Sequence, residues 1–322
     1  MSTHTVFRLA SRDGFDGLKA FQEPMSRPGR GEVLVKVRSV GLNYRDIAIA
    51  TSNYPLPVKD LVVPCSDMAG EVVQVGDDVV SGGGADEVAV GDAVVTPASF
   101  VLLYGPTKGH LDTLGGGRDG VLREYFVVPA HAVIKIPQSS SHSLTDWAAM
   151  TTTGATVWNA FYGHTPLKPG QTVLVQGTGG VALTALIFAK AAGATVIVTS
   201  SSDDKLDYVK AKYGADFTIN YKTHPRWAAE VQRITNGRGA DHVVDVGGAG
   251  TIEQSLEAVA WGGIVSNIGF LAGVPEGQMP NVALMTLVKG STLRGILSGS
   301  KQQLEEAVRR SWPPLSTSLP AR

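Results

Sequence analysis

The 322-residue chain has one cysteine, Cys65. A lone thiol excludes an internal disulfide framework and any zinc site built from several thiolates. The seven histidines show no metal-ligand spacing. Charge of one sign is also missing: 28 Lys and Arg face 29 Asp and Glu, for a net charge of −1. Without a basic block, the electrostatic footprint of a nucleic-acid binder is absent. No apolar run reaches about 18 residues, so a membrane span is not expected. The opening MSTHTVFRLA lacks the apolar core of a secretory signal. A soluble, cytoplasmic protein acting on a small molecule is the expectation.

What the chain does have is glycine, 38 of its residues, above the roughly 7% of average usage. No collagen-like period accompanies the excess, which points to turns and to loops where backbone approaches a ligand.

Two patterns divide the chain near residue 140. Residues 1–140 read as β-rich. Glu32–Val40 alternates apolar and polar side chains, the period of a half-buried strand, and Ala69–Val75 and Asp92–Thr96 are further strands. Ser81–Gly84 reads as a flexible loop, and residues 104–120 as a long Gly-rich one. From 141 a helix is expected from Leu144 onward. Short, nearly all-apolar strands follow at Thr172–Gln176, Thr195–Thr199, His242–Val246 and Ile264–Ile268, with helices at Val181–Ala192, Lys205–Tyr213 and Ile252–Ala260. Strands buried on both faces and alternating with helices mean an α/β domain with a doubly wound parallel sheet.

The sharpest motif is QGTGGVA at Gln176–Ala182, between a strand and a helix. Gly177 permits the tight turn, Gly179 and Gly180 let backbone approach a pyrophosphate, and Val181 opens the helix whose N-terminus favours that charge. Ala182 is small enough for close helix–strand packing. An NAD site usually places an acid about 20 residues on, at the second strand's end. Here that tip reads Thr199-Ser200-Ser201-Ser202. The hydroxyls of Ser200 and Ser202, with Lys205, suit a 2′-phosphate, which favours NADPH over NADH. Asp203 and Asp204 count against a 2′-phosphate, unless both face solvent as first-turn helix residues.

Further segments carry a resemblance: GLNYRD at Gly41–Asp46, NYPLP at Asn53–Pro57, SDMAGEVVQVG at Ser66–Gly76, DGVLREY at Asp119–Tyr125, GADFTINY at Gly214–Tyr221 and VVDVGGAGTIEQSL at Val243–Leu256. With the LVQGTGGV segment, these resemble the medium-chain dehydrogenase/reductase superfamily, in its zinc-independent, quinone-oxidoreductase-like branch. They cover most of residues 30–300 in order. The resemblance implies a GroES-like substrate domain at 1–140, completed in part by 290–322, and a Rossmann domain at 141–289. It implies an NADPH-dependent hydride transfer to a quinone, enone or related carbonyl. Zinc-free alcohol–carbonyl dehydrogenase chemistry and a catalytically inactive cofactor-binding protein stay as alternatives.

The zinc members' three catalytic ligands fall, by resemblance, on Asn43, Ser66 and Ala149, so no metal is expected. Tyr54 matches a tyrosine regarded as proton donor in related enoyl thioester reductases, and Asn43 an asparagine lining the nicotinamide site. Tyr54 as a loop aromatic beside Pro55 and Pro57, and Asn43 as a turn residue, remain open readings. Tyr44, Asp67 and His110 are weaker candidates. Thr153 resembles a residue near the carboxamide, and Tyr221 one near the 2′-phosphate. Gly247 and Gly248 resemble backbone beside the nicotinamide ribose. Gly269, Phe270 and Leu271 resemble the segment lining its ring. Ser291–Leu297 resembles an edge strand that pairs Rossmann domains, implying a homodimer. Relatives close on a strand of the form GKVV, whereas this chain ends SWPPLSTSLPAR, so the resemblance implies a truncated first domain.

Overall fold

A computed structural model describes residues 2–79, 87–109, 112–273 and 279–309. The Ser81–Gly84 loop, His110 and the C-terminal segment from 310 on lie outside the described residues. The chain divides into two compact units, one reaching Ala155 and resuming at Gly299, the other Thr156–Ser298.

The first unit opens with a hairpin of β1 (Thr3–Leu9) and β2 (Leu18–Pro24), paired antiparallel. The sequence reading gave this region no explicit strand. Then come β3 (Glu32–Gly41), helix α1 (Tyr44–Ala50), β4 (Asp67–Val75), β5 (Ala93–Val95), β6 (Tyr125–Pro129) and β7 (Ile134–Lys135). They form an antiparallel sheet in the order β6-β3-β4-β5-β7. Its inward residues, among them Val33, Val35, Met68, Val72, Val94 and Val128, close one core. Val33 and Val35 are apolar members of the alternation at Glu32–Val40, as one buried sheet face requires, while Met68 and Val128 lie outside the strands expected from sequence. The 104–120 segment is irregular as expected; among its described residues only isolated bridges form, Leu114 with Arg118 and Thr113 with Ser99.

Helix α2 (Leu144–Tyr162) spans the division between the units. Its first half belongs to the first unit because Thr145 bonds Ser39 of β3 and Thr152 bonds Asp67 of β4. The break therefore falls at Ala155/Thr156 rather than at 140/141.

The second unit alternates β8 (Thr172–Gln176), α3 (Gly180–Ala191), β9 (Thr195–Ser200), α4 (Asp203–Tyr213), β10 (Phe217–Asn220), α5 (Trp227–Ile234), β11 (Ala240–Asp245), α6 (Ile252–Ala258), β12 (Val259–Asn267), α7 (Val282–Lys289) and β13 (Thr292–Gly295). All neighbours pair parallel, in the order β10-β9-β8-β11-β12-β13. Counted from β8, that is the 3-2-1-4-5-6 order of dinucleotide-binding sheets, and its direction of growth reverses between β8 and β11. Leu174, Ile197, Val243 and Val265 are buried at the sheet's centre. The expected helix over Ile252–Ala260 ends two residues early. Val259 and Ala260 belong to β12, whose pairing with β11 is irregular between Ala240 and His242. The chain then returns to the first unit through α8 (Lys301–Val308), capped by Ser300 and tied by the Lys301 and Gln302 amides to Leu102 and Leu103 carbonyls. Among the described residues no helix is long and apolar enough to cross a membrane.

Candidate active site

In the second unit the chemistry gathers at the carboxyl ends of the parallel strands. The turn after β8 is set by Gly177, at φ 80, a conformation that side chains rarely adopt. Its amide bonds the Thr199 carbonyl of β9. Gly179 is the N-cap of α3 and supplies no capping side chain. Around both glycines a Cβ would meet nothing within 4 Å. The helix thus starts with uncapped amides, those of Gly180 and Val181 among them, above open space, which is how a helix N-terminus receives an anion. These residues fit a dinucleotide pyrophosphate.

The tip of β9 gathers four of the expected residues. Ser200 pairs with Asn220 in register, and the Tyr221 amide donates to the Ser200 carbonyl. Ser200 Oγ accepts from the Ser202 amide, and Ser202 Oγ caps α4 by accepting from the Lys205 amide. The ring of Tyr221 is exposed, and Lys205 makes no ion pair among the described residues. Asp203 does not simply face solvent: it accepts a 2.8 Å bond from Asn220 Nδ2 at the end of β10. An amide donor at that strand end is enough to draw the carboxylate across.

Beyond β11, Gly248 adopts φ 74, and a Cβ there would lie 2.6 Å from the Gly269 carbonyl oxygen. The loops after β11 and β12 are thus packed backbone on backbone. The Leu271 amide reaches Val246 O and the Ala272 amide reaches Gly247 O. Phe270 and Leu271 stay exposed at this end. Asp245, which no sequence motif marks, is fully buried and accepts from the Gly247 and Gly248 amides.

The first unit holds the residues at the expected metal-ligand positions. Asn43 is the N-cap of α1, and its amide donates to Asp46 Oδ2 at 2.8 Å. Burial raises the Asp46 carboxyl above its ordinary pKa, against the opposing pull of Arg45 and the Asn43 amide. Ser66 Oγ donates to Asp67 Oδ1. Thr152 donates to the same carboxylate twice, from Oγ1 to Oδ1 at 2.5 Å and from its amide to Oδ2 at 3.1 Å. Asp67 is 1% exposed, so these donors surround a nearly dry carboxylate. Ala149 offers only its carbonyl, which accepts from Thr153 Oγ1 at 2.9 Å. Cys65 is buried, with burial and the charges of Asp46 and Asp67 pushing its thiol far up. Among the described residues no group of three or more His, Cys, Asp or Glu could hold a metal ion. With Asn43, Ser66 and Ala149 at the positions where the resemblance puts ligands, and Asp67 filled by hydroxyl donors, the residues do not fit a catalytic zinc.

Tyr54 packs against the cluster of Leu9, Ile49, Ala50 and Val62. Among the described residues its phenol makes no hydrogen bond. Tyr44 opens α1, half exposed.

Known proteins resemble each of the two units. Residues 29–138 match the alcohol dehydrogenase GroES-like domain, and residues 180–312 the zinc-binding dehydrogenase family. A zinc-type alcohol dehydrogenase-like protein of Schizosaccharomyces pombe is 43% identical over 303 residues, covering 92% of this chain and 84% of the relative. Among solved structures, a Sinorhizobium meliloti protein assigned as an alcohol dehydrogenase superposes with a TM-score of 0.84 at 35% identity, over 96% of this chain and 88% of the other. A quinone oxidoreductase of Pseudomonas syringae does so with a TM-score of 0.74 at 27% identity, over 94% and 86%. A parallel sheet with a glycine loop at its switch point, a β-rich partner unit and a relative this similar along nearly the whole chain have one joint meaning: the chain belongs to the medium-chain dehydrogenase/reductase superfamily and is an oxidoreductase of that nicotinamide-dependent family.

Proposed function

We propose that this protein is a metal-independent, NADPH-dependent reductase of a quinone, enone or related conjugated carbonyl. The observation that carries the reading is the Ser66–Asp67–Thr152 cluster, where hydroxyl donors occupy the Asp67 carboxylate beside Ser66. Bound NADPH supplies the hydride. The chain's own residues then have three tasks. Gly177, Gly179, Gly180 and Val181 hold the pyrophosphate with backbone and helix N-terminus. Ser200, Ser202, Lys205 and Tyr221 receive the 2′-phosphate at the end of β9. Gly247, Gly269, Phe270 and Leu271 bound the nicotinamide half. Without a Lewis acid the carbonyl is polarised by hydrogen bonds. In the first unit Tyr54, whose phenol makes no hydrogen bond among the described residues, is the candidate proton donor, with solvent as the other source, and Asn43 is the candidate donor to the carbonyl.

The test is a panel of quinones, enones, aldehydes and saturated alcohols, followed by loss or gain of reduced-cofactor absorbance with NADPH and NADH in parallel. Reduction of conjugated carbonyls with NADPH supports the reading. Turnover confined to alcohols with NADP⁺ replaces it with a zinc-free alcohol dehydrogenase. Binding without any turnover replaces it with a cofactor-binding protein. Lys205→Ala should raise the KM for NADPH roughly tenfold, as loss of a charge-assisted phosphate contact requires, and leave NADH unchanged. Equal effects on the two cofactors would contradict the 2′-phosphate assignment.

The same reading includes a homodimer. β13 is the edge of its sheet, paired on one side to β12, and Leu284, Leu287 and Val288 of α7 are exposed nearby in sequence. An uncovered parallel edge beside exposed apolar residues suits pairing with a second copy. Light scattering should give twice the chain mass.

A further inference from the structure

The point where the sheet reverses direction carries a hydrogen-bonded junction that the glycine motif alone does not reveal. β8 and β11 are neighbours, with Val175 paired to Val244. Each ends in a polar residue directly before a ligand-facing loop. Gln176 precedes Gly177, and Asp245 precedes Val246-Gly247-Gly248. In open parallel sheets the ligand crevice lies outside the carboxyl ends of the strands at such a reversal.

Asp245 accepts five hydrogen bonds, and its two oxygens divide them. Oδ1 takes the Gly247 amide at 3.0 Å, the Gly248 amide at 2.8 Å and Thr251 Oγ1 at 2.8 Å. This oxygen shapes the loop that follows β11. Oδ2 takes Ser255 Oγ of α6 at 2.5 Å and Gln176 Nε2 at 3.3 Å. Gln176 Nε2 also donates to Ser255 Oγ at 2.7 Å. The second oxygen therefore joins the end of β8 to the end of β11. The amide cannot be turned round, because Oε1 would then face the carboxylate. In the observed orientation Oε1 is buried with no partner among the described residues. Burying an acceptor unpaired carries a penalty, so Gln176 serves at this position through its donor end.

We propose that Asp245 and Gln176 are positioning residues for the nicotinamide half of the dinucleotide. Together they hold the Gly247–Gly250 loop at a fixed offset from the Gly177–Gly179 loop, which takes the pyrophosphate. The inference rests on the dinucleotide reading of the glycine loop and adds residues that touch neither phosphate nor the reacting atoms. Gln176→Met is the cleanest cut, since it removes the link and leaves Asp245 four of its five donors. The measurement is fluorescence titration of the purified protein with NADPH, with NADH and with ADP, which lacks the nicotinamide half. Loss of one charge-assisted hydrogen bond predicts a Kd for the full dinucleotides raised roughly tenfold, with ADP affinity held within about twofold.

A second variant, Gln176→Glu, keeps the outcome independent of simple damage. Two carboxylates at this distance share a proton. A protonated Glu restores the donor at low pH, and the link is lost as pH rises. Dinucleotide affinity in Gln176→Glu should therefore recover on acidification where wild type shows no such recovery. Dinucleotide and ADP affinities falling together in Gln176→Met, or neither changing, would overturn the inference while leaving the dinucleotide reading standing. Wild-type protein that binds neither NADPH nor NADH would overturn that reading and the inference with it.

Discussion

Asp67 in the first unit and Asp245 in the second are 1% and 0% exposed, and each is surrounded by neutral donors. Their settings differ. The donors to Asp67 come from a neighbouring hydroxyl and from a helix 85 residues away, so the carboxylate pins β4 to α2. The donors to Asp245 come mostly from the loop that follows it, so that carboxylate shapes a loop. One cluster ties a strand to a helix. The other ties a strand end to the loop that follows it. The difference teaches that a buried acid means little until its donors are counted and traced to their elements.

Stability should separate the two clusters most strongly. Asp245→Ala removes the acceptor of five hydrogen bonds, and Asp67→Ala that of three. At roughly 1 kcal/mol per lost bond, urea unfolding should show losses of about 5 and about 3 kcal/mol. A larger loss for Asp67→Ala would break the comparison.

Acid should act through the strand that ends in Asp245. His242 of β11 is buried against Phe161, and burial pushes its pKa down to about 4. The unfolded chain takes up a proton near pH 6.5 that the native state refuses until about pH 4. Stability is therefore full above 6.5 and declines as pH falls to 4, by about 3 kcal/mol. His242→Leu should flatten that part of the stability–pH curve. An unchanged slope would show that His242 is not the group responsible.

Gly248→Ala sharpens the comparison from the loop side. The left-handed backbone and the 2.6 Å approach to Gly269 O predict a cost of about 2 kcal/mol. Cofactor affinity should drop with it, as the loop is displaced. The corresponding surface substitution Phe217→Ala, at an exposed position of β10, should stay within about 0.5 kcal/mol.

The sequence was most legible where burial leaves a periodic or compositional trace. β8, β9 and the core of β12 show as apolar runs because both sheet faces are covered. The turn at Gly177 shows because its φ of 80 favours glycine. Helix α1 is only seven residues and leaves too little period to read. The end of α6 was overrun because Val259 and Ala260 are apolar in either state. In the first unit Asn43, Ser66 and Ala149 are visible in the sequence, but not the hydroxyl donors gathered on Asp67. Thr152 reaches Asp67 only through the packing of α2. Asp245 was invisible for the same reason: in VVDVGG it looks like any strand end, and its partners Gln176 and Ser255 lie 69 and 10 residues away.

The central claim is hydride transfer without metal in a fold whose relatives include zinc-type enzymes. The most direct measurement follows NADPH oxidation by a conjugated carbonyl before and after exhaustive dialysis against a chelator, with metal content determined on the same sample. The account predicts unchanged turnover at far less than one metal ion per chain. Turnover lost on dialysis and restored by Zn²⁺ would contradict it.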